Sequence, residues 1–337
     1  MIQDIAPLKL NNAYHRKKPK NNSRMLGFFD RMIYLKYDEK IEFLTYEQWT
    51  DTRREQKKEI PESVYLFSIG EEDYFLTDIA ADTQIEGFAF HKMFSVRTMQ
   101  PMKDVLAAAT AWHLYVWYRD NQFCGRCGTK LAHDTLQRMM RCPKCGNLVF
   151  PKIAPAVIIG LTDGDKILMT KYAGRTYTRY ALVAGFTEIG ETLEQTVARE
   201  VMEETGIRVK NLRYYKSQPW SFTDTLLTGF FCEADGEQDI RLDKEELAVA
   251  EWIERDKIDQ AQDSYDDLSL TNEMICCMMR LFIIIEAKHT VHLRCHIEKQ
   301  TVCNGKRTHR LNDNNSARNN QWIMATFDRQ FHRFLIA

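Results

Sequence analysis

The chain has 337 residues, of which 44% are hydrophobic and 28% charged, with a formal net charge of −1. That length supports two or three domains and at least one sizeable core. Balanced charge excludes a surface tuned throughout to nucleic acid or to an anionic membrane. No apolar run approaches the roughly 18 residues that a membrane span needs; the best is LFIII at Leu281–Ile285. The opening MIQDIAPLKL carries Asp4 and has no basic stretch followed by an apolar one, so no secretory signal is expected.

In chain order, residues 1–120 read as an α+β domain. MIYLKY, SVYLFSI and YFLTDI are strand-like runs, and Lys103–Tyr118 places Val105, Leu106, Ala109, Trp112, Val116 and Trp117 at helical spacing. RKKPK at Arg16–Lys20 reads as a solvated loop.

Residues 121–152 are a cysteine module. Cys124, Cys127, Cys142 and Cys145 form C-x2-C-x14-C-x2-C, and the other five of the nine cysteines are scattered. Two tight knuckles, CGRCG and CPKCG, aim four thiolates at one ion and complete a tetrahedral shell with no open position. The expectation is one structural Zn2+ per chain in a reducing compartment, hence a cytoplasmic protein without a disulfide framework. Arg126, Lys130, Arg138, Arg141 and Lys144, with Phe123 and Phe150, leave RNA contact by this module open.

Residues 153–280 turn to βα character. APAVIIGLT and KILMTKY are strands joined by the turn DGDK, followed by strand candidates Leu182–Phe186, Leu226–Cys232 and Ala248–Ile253, and a short helix near Thr271–Arg280. Residues 281–337 read as an atypical basic tail. From Ile283 there are 9 Lys/Arg, 4 Asp/Glu and 5 of the 9 histidines, and RLNDNNSARNNQ is polar enough for loop or disorder. HTVHLRCHIEK with Cys303 and His309 matches no standard zinc spacing.

The chemistry concentrates in GFTEIGETLEQTVAREVMEETGI, Gly185–Ile207. Thr192-Leu-Glu-Gln195 is a capping box that starts a helix, and Gly206 closes it. On a helical wheel Val197, Ala198, Val201 and Met202 form one face, with Glu200, Glu203 and Glu204 on the adjoining one and Arg199 at i+4 to Glu203. Clustered carboxylates repel, yet hard oxygens on one face suit Mg2+ or Mn2+ bound against phosphates.

This segment matches every defined position of GX5EX7REUXEEXGU and so resembles the Nudix hydrolases. Downstream, SQPWSFTDTLLTGF at Ser217–Phe230 resembles the SQPWPFPxS motif of the zinc-ribbon NADH pyrophosphatase subfamily. The resemblance covers roughly residues 90–280. It implies a Nudix α/β/α sandwich behind a small zinc ribbon, a homodimer, and hydrolysis of NAD(H) to nicotinamide mononucleotide and AMP, with removal of NAD caps from RNA 5′ ends. Alternatives are a Nudix hydrolase of another nucleoside diphosphate such as ADP-ribose, and a zinc-ribbon RNA-binding protein whose Nudix fold is disused.

By the same resemblance Glu200, Glu203 and Glu204 hold the catalytic Mg2+ or Mn2+ with the carbonyl of Ala184. Arg199 orients a carboxylate and Glu191 supports the loop. LDKEELAVAEW offers a further ligand, Glu245 or Glu246, with Glu245 preferred. Phe150 and Phe186 supply stacking rings, and Gln218, Pro219, Trp220, Ser221, Phe222, Thr223, Asp224 and Thr225 line the dinucleotide pocket. Ser221 and Thr223 stand where the motif has prolines, which makes that loop less rigid.

Overall fold

The near-continuous apolar run Ala156–Leu161 has no polar face to offer water, so a strand formed from it has to be covered on both sides. The computed structural model describes residues 1–174, 179–236, 239–258 and 268–289, and it bears this out. Six strands are numbered here from the start of this domain: β1 Ala154–Asp163, β2 Lys166–Tyr172, β3 Val183–Phe186, β4 Val209–Trp220, β5 Thr225–Ala234 and β6 Leu247–Glu254. The sheet order is β4-β5-β1-β2-β6, with β3 also pairing β1. β1 and β5 run parallel and every other pair is antiparallel.

Helices are numbered along the chain: α1 Tyr46–Glu55, α2 Met102–Asp120, α3 Leu193–Thr205 and α4 Leu270–His289. Val157, Ile159 and Leu161 of β1 share a core with Val197 and Val201 of α3. Ile158 points the other way, into a core with Leu270, Met274, Ile275 and Met278 of α4. Period-two alternation on one strand therefore feeds two helices on opposite faces, which is the α/β/α sandwich. α4 runs past Arg280, where the sequence pattern ended it, and residues 290–337 lie outside the described residues, as do RLNDNNSARNNQ and the Cys303 and His309 grouping.

The first hundred residues form an α+β unit of short strands. One sheet holds Val64–Ile69 and Glu72–Leu76 beside Arg24–Leu26, and another pairs Met32–Tyr37 with Ala89–Lys92. α2 lies on this unit and buries Val105 through Ala109, Trp112 and Leu114. At its C-terminal end Trp117 enters the small core of the cysteine module, with Leu131 and Met140. α1 and β4 had no counterpart in the sequence pattern. β4 is an edge strand with half of its side chains exposed, and its state comes from pairing along β5.

Candidate active site and zinc ribbon

The two knuckles close in the same way. Gly128 N–H donates to the Cys124 carbonyl at 2.8 Å and Gly146 N–H to that of Cys142 at 3.1 Å. Sγ–Sγ separations are 3.6 Å for Cys124–Cys145 and 3.5 Å for both Cys127–Cys142 and Cys127–Cys145. A tetrahedral shell with Zn–S bonds of about 2.3 Å requires about 3.8 Å between sulfurs, whereas a disulfide requires about 2.05 Å. The thiols are thus spaced for an ion. Thr129 Oγ1, 3.4 Å from Cys127 Sγ, is the chief cause that lowers this thiol, while burial and the neighbouring sulfurs raise Cys145. Among the described residues these four are the one group of three or more His, Cys, Asp or Glu ligand atoms lying within 4.8 Å of one another.

The second constellation lies where β3 runs into α3. Thr192 Oγ1 accepts from Gln195 N–H while Gln195 Oε1 accepts from Thr192 N–H, so the capping box is complete. Gly206 ends the helix with φ +72. The orientation between these ends corrects the wheel. Val197 and Val201 are buried, but so are Glu200 and Glu204, whereas Ala198 and Met202 face outward. Two carboxylates have displaced two apolar side chains from the inward face, because that face meets the end of the sheet where the box begins.

Gly185 makes room for this. A Cβ built there would lie 1.9 Å from Glu200 Cδ and 2.1–2.2 Å from its two oxygens. The carboxylate thus rests on the bare Cα of β3, one residue after Ala184. Burial first, then Glu203 and Glu246, raise the Glu200 carboxyl, against the lowering effect of Arg199. Glu204, one turn on, is 2% exposed.

Arg199 ties the cluster together. Its Nε and Nη2 donate to Glu191 at 2.6 and 2.9 Å, Nη1 donates to Glu200 at 2.8 Å and to Glu203 at 2.9 Å, and Nη2 also reaches the Phe186 carbonyl at 2.9 Å. Through this bridge the guanidinium holds Glu191 down to about 2. Glu191 in turn accepts from Glu188 N–H and Thr196 Oγ1, both at 3.1 Å, which fixes the loop between β3 and α3.

The stretch after β5 docks on the far end of α3. Arg241 N–H and Asp243 N–H donate to the carbonyls of Thr205 and Glu204 at 2.8 and 3.0 Å. This brings Glu246 to bear on Glu200. Glu245, the sequence preference, is exposed, with its N–H donating to Asp243 Oδ1 at 2.9 Å.

Phe150 and Phe186 are 54% and 56% exposed, with rings free to meet a ligand. Phe186 pairs across β1 with Ala156, while Thr225 pairs on its other side with Ala154. The β4–β5 hairpin and the box therefore open at the same end of the sheet. The hairpin residues divide. Gln218 is fully buried, with its amide donating to the Leu268 carbonyl at 2.6 Å and its Oε1 accepting from Leu270 N–H at 2.7 Å. It fastens β4 to the start of α4, so its side chain does not line a pocket as expected. Ser221 and Thr225 are buried too. Pro219 and Thr223 are exposed, Trp220 and Phe222 are half-buried with ring centroids 5.2 Å apart, and Asp224 ends the turn.

Buried glutamates on a helix that meets a glycine of the adjoining strand, on an α/β/α sandwich, form the arrangement that the resemblance to the Nudix hydrolases implied. Accordingly, residues 152–272 match the NUDIX domain and residues 119–150 the NADH pyrophosphatase zinc ribbon domain, so the chain carries both. Among characterised relatives, the NAD-capped RNA hydrolase NudC of Shigella boydii serotype 18 is 41% identical over 182 residues, 53% of this chain and 66% of that protein. The enzyme of the same name from Klebsiella pneumoniae subsp. pneumoniae is 42% identical over 183 residues, with the same coverage. This chain thus spans 66% of the length of the relatives it matches. A solved NUDIX hydrolase from Nitrosomonas europaea is 25% identical, covering 50% of this chain and 92% of that one with a TM-score of 0.37. The four cysteines are the ribbon's zinc site. Among the described residues no helix is long and apolar enough to cross a membrane.

Proposed function

We propose that this chain is a divalent-metal-dependent pyrophosphohydrolase that cleaves NAD(H) to nicotinamide mononucleotide and AMP and removes NAD caps from RNA 5′ ends. The observation that carries the reading is the Glu200 carboxylate seated on Gly185, with Glu204 buried beside it and Arg199 bridging Glu191, Glu200 and Glu203. The names of the relatives and the ribbon type support the substrate. Glu200, Glu203 and Glu204, with Glu246 at the edge, offer hard oxygen donors of the kind that Mg2+ and Mn2+ take, and the bare Cα at Gly185 leaves room for them. When bound, such ions neutralise the pyrophosphate, activate a water and stabilise the leaving phosphate.

The chain's own residues then have separate tasks. Arg199 holds two of the carboxylates at fixed positions and offsets their mutual repulsion. Glu191 keeps the loop in register through Glu188 and Thr196. Exposed Phe150 and Phe186 take the flat bases, each stack contributing about 1–3 kcal/mol. The half-buried rings of Trp220 and Phe222 with Thr223 and Asp224 form the far wall. The resemblance supports a homodimer, and the reduced cysteines of the zinc site support a cytoplasmic setting; light scattering in solution tests the dimer.

Incubation with NADH and Mn2+ or Mg2+, with products resolved by chromatography, tests the activity. Nicotinamide mononucleotide plus AMP supports it, and no cleavage with either metal ends it. Burial of Gln218, Ser221 and Thr225 leaves fewer hairpin groups for the nicotinamide half, which favours ADP-ribose as the second substrate reading; faster turnover of ADP-ribose than of NADH would establish it. Any metal-dependent turnover dismisses a purely RNA-binding role.

A further inference from the structure

The β4–β5 hairpin turns through Ser221–Asp224, and Asp224 sits in the left-handed region with φ +57. Few non-glycine residues rest there unless neighbouring contacts hold them. Two contacts do. The Asp224 carbonyl accepts from Ala154 N–H at 2.8 Å. Its Oδ1 lies 3.5 Å from Nε2 of His113, a half-buried residue of α2. The same nitrogen is 2.7 Å from the Lys152 carbonyl. A carbonyl oxygen only accepts, so Nε2 carries the hydrogen.

One imidazole thus joins three segments: α2 of the N-terminal unit, the linker that leads from the ribbon into β1, and the tip of the hairpin. The N-terminal unit meets this hairpin elsewhere too. Phe222 packs against the core that contains α2, and the Arg97 guanidinium lies 4.8 Å over the Trp220 ring. Phe150 stands two residues before Lys152, and strand spacing of about 4.8 Å puts the hairpin and the box roughly 10 Å apart, on either side of β1.

We propose that His113 is a positioning residue that sets the segment bearing Phe150 against the Trp220–Asp224 turn, so that the N-terminal unit governs how the dinucleotide is held. The inference deepens the pyrophosphatase reading and rests on it. His113 touches neither the glutamates nor Arg199, so its loss acts on substrate binding and leaves the chemical step intact. Ser221 and Thr223 stand where prolines would stiffen this turn, and the His113 contact supplies a tertiary restraint in their place.

The test uses full-length, zinc-loaded protein with His113→Ala, His113→Gln and Asp224→Asn. Hydrogen–deuterium exchange is followed in peptides covering 148–154 and 219–226, beside steady-state cleavage of NADH. His113→Ala is expected to speed exchange in both peptides and to raise KM about 5- to 10-fold, the scale of one hydrogen bond, with kcat within about twofold. His113→Gln, which keeps an N–H donor, restores most of both. Unchanged exchange in the two peptides, or a fall in kcat at constant KM, overturns the proposal. Should His113→Ala fail to retain zinc, Asp224→Asn is followed by exchange in the two peptides alone, because Asp224 itself lines the proposed pocket. Absence of NADH cleavage by the wild type removes the substrate reading alone, because the exchange experiment still decides whether His113 restrains the turn.

Discussion

Gly185→Ala is the sharpest perturbation of the site, because it adds one methyl group and removes nothing. Gly185 does not occupy the left-handed region, so alanine fits its backbone. The added Cβ would fall 1.9 Å from Glu200 Cδ. An ordinary carbon contact is about 3.6 Å, so the carboxylate must retreat by roughly 1.7 Å. Displacement of a positioned group by about 1 Å costs about 100-fold in rate, and the loss here should be at least that, about 2.7 kcal/mol in kcat/KM. Overpacking lowers stability by only about 1–3 kcal/mol. The assay is kcat/KM on NADH with zinc content and thermal midpoint measured on the same sample. Gly229→Ala is the control: its Cβ meets Met274 Sδ at 2.7 Å, in the core on the α4 face, where a thioether can yield. It should lose about 1 kcal/mol of stability at unchanged activity per folded molecule. Gly185→Ala retaining activity within about threefold of wild type would refute the seating of Glu200 as the basis of the site.

Three further outcomes are expected. Gln218→Ala removes the acceptor of a buried Leu270 N–H and should cost about 1–3 kcal/mol in urea unfolding with KM nearly unchanged; a large rise in KM at normal stability would return Gln218 to the pocket. Asp104, beside Tyr74 and Lys103, is pushed up to about 6 mainly by burial. Its folded pKa exceeds its unfolded one, so its contribution is fully present below about pH 4 and is lost as pH rises through 6. Asp104→Asn should flatten that decline relative to wild type and gain about 1 kcal/mol at pH 7.5, and identical pH slopes for the two proteins would contradict it. Cys127→Ser should take zinc from one per chain to well below one and lower the thermal midpoint, whereas Glu204→Gln should abolish turnover with zinc retained; metal analysis beside the activity assay separates the two.

Most of the sandwich was legible because its strands are buried. APAVIIGLT and KILMTKY have to be covered, DGDK has to turn, and each lies where the pattern put it. β4 was not legible. VKNLRYYKSQPW has no alternating apolar face, since it is an edge strand whose one fully buried side chain, Gln218, is polar. The four zinc thiols were readable from spacing alone, because knuckle geometry is local. The sequence offered Glu245 and Glu246 alike, and the nearness of Glu246 to Glu200 depends on how Arg241 and Asp243 dock on the end of α3, a tertiary contact that no local pattern encodes.

The helix wheel failed for a reason tied to the chemistry. Amphipathicity assumes that apolar side chains claim the inward face, which would bury Ala198 and Met202. Instead Glu200 and Glu204 hold that face, and burial raises Glu200. An inward carboxylate is costly unless a cation or hydrogen bonds meet it, or it takes up a proton. Arg199 serves Glu200 in this way, and it does so while also bridging Glu191 and Glu203. Selection for packing alone would put valine or leucine at both positions, as it does at Val197 and Val201. A helix that buries acids beside a glycine cradle, with Arg199 bridging Glu191, Glu200 and Glu203, suits a further source of positive charge in the proposed site. The same inversion that defeats the pattern therefore supports the proposed site, in which a divalent ion against a pyrophosphate is the partner whose charge and oxygen preference match the acids.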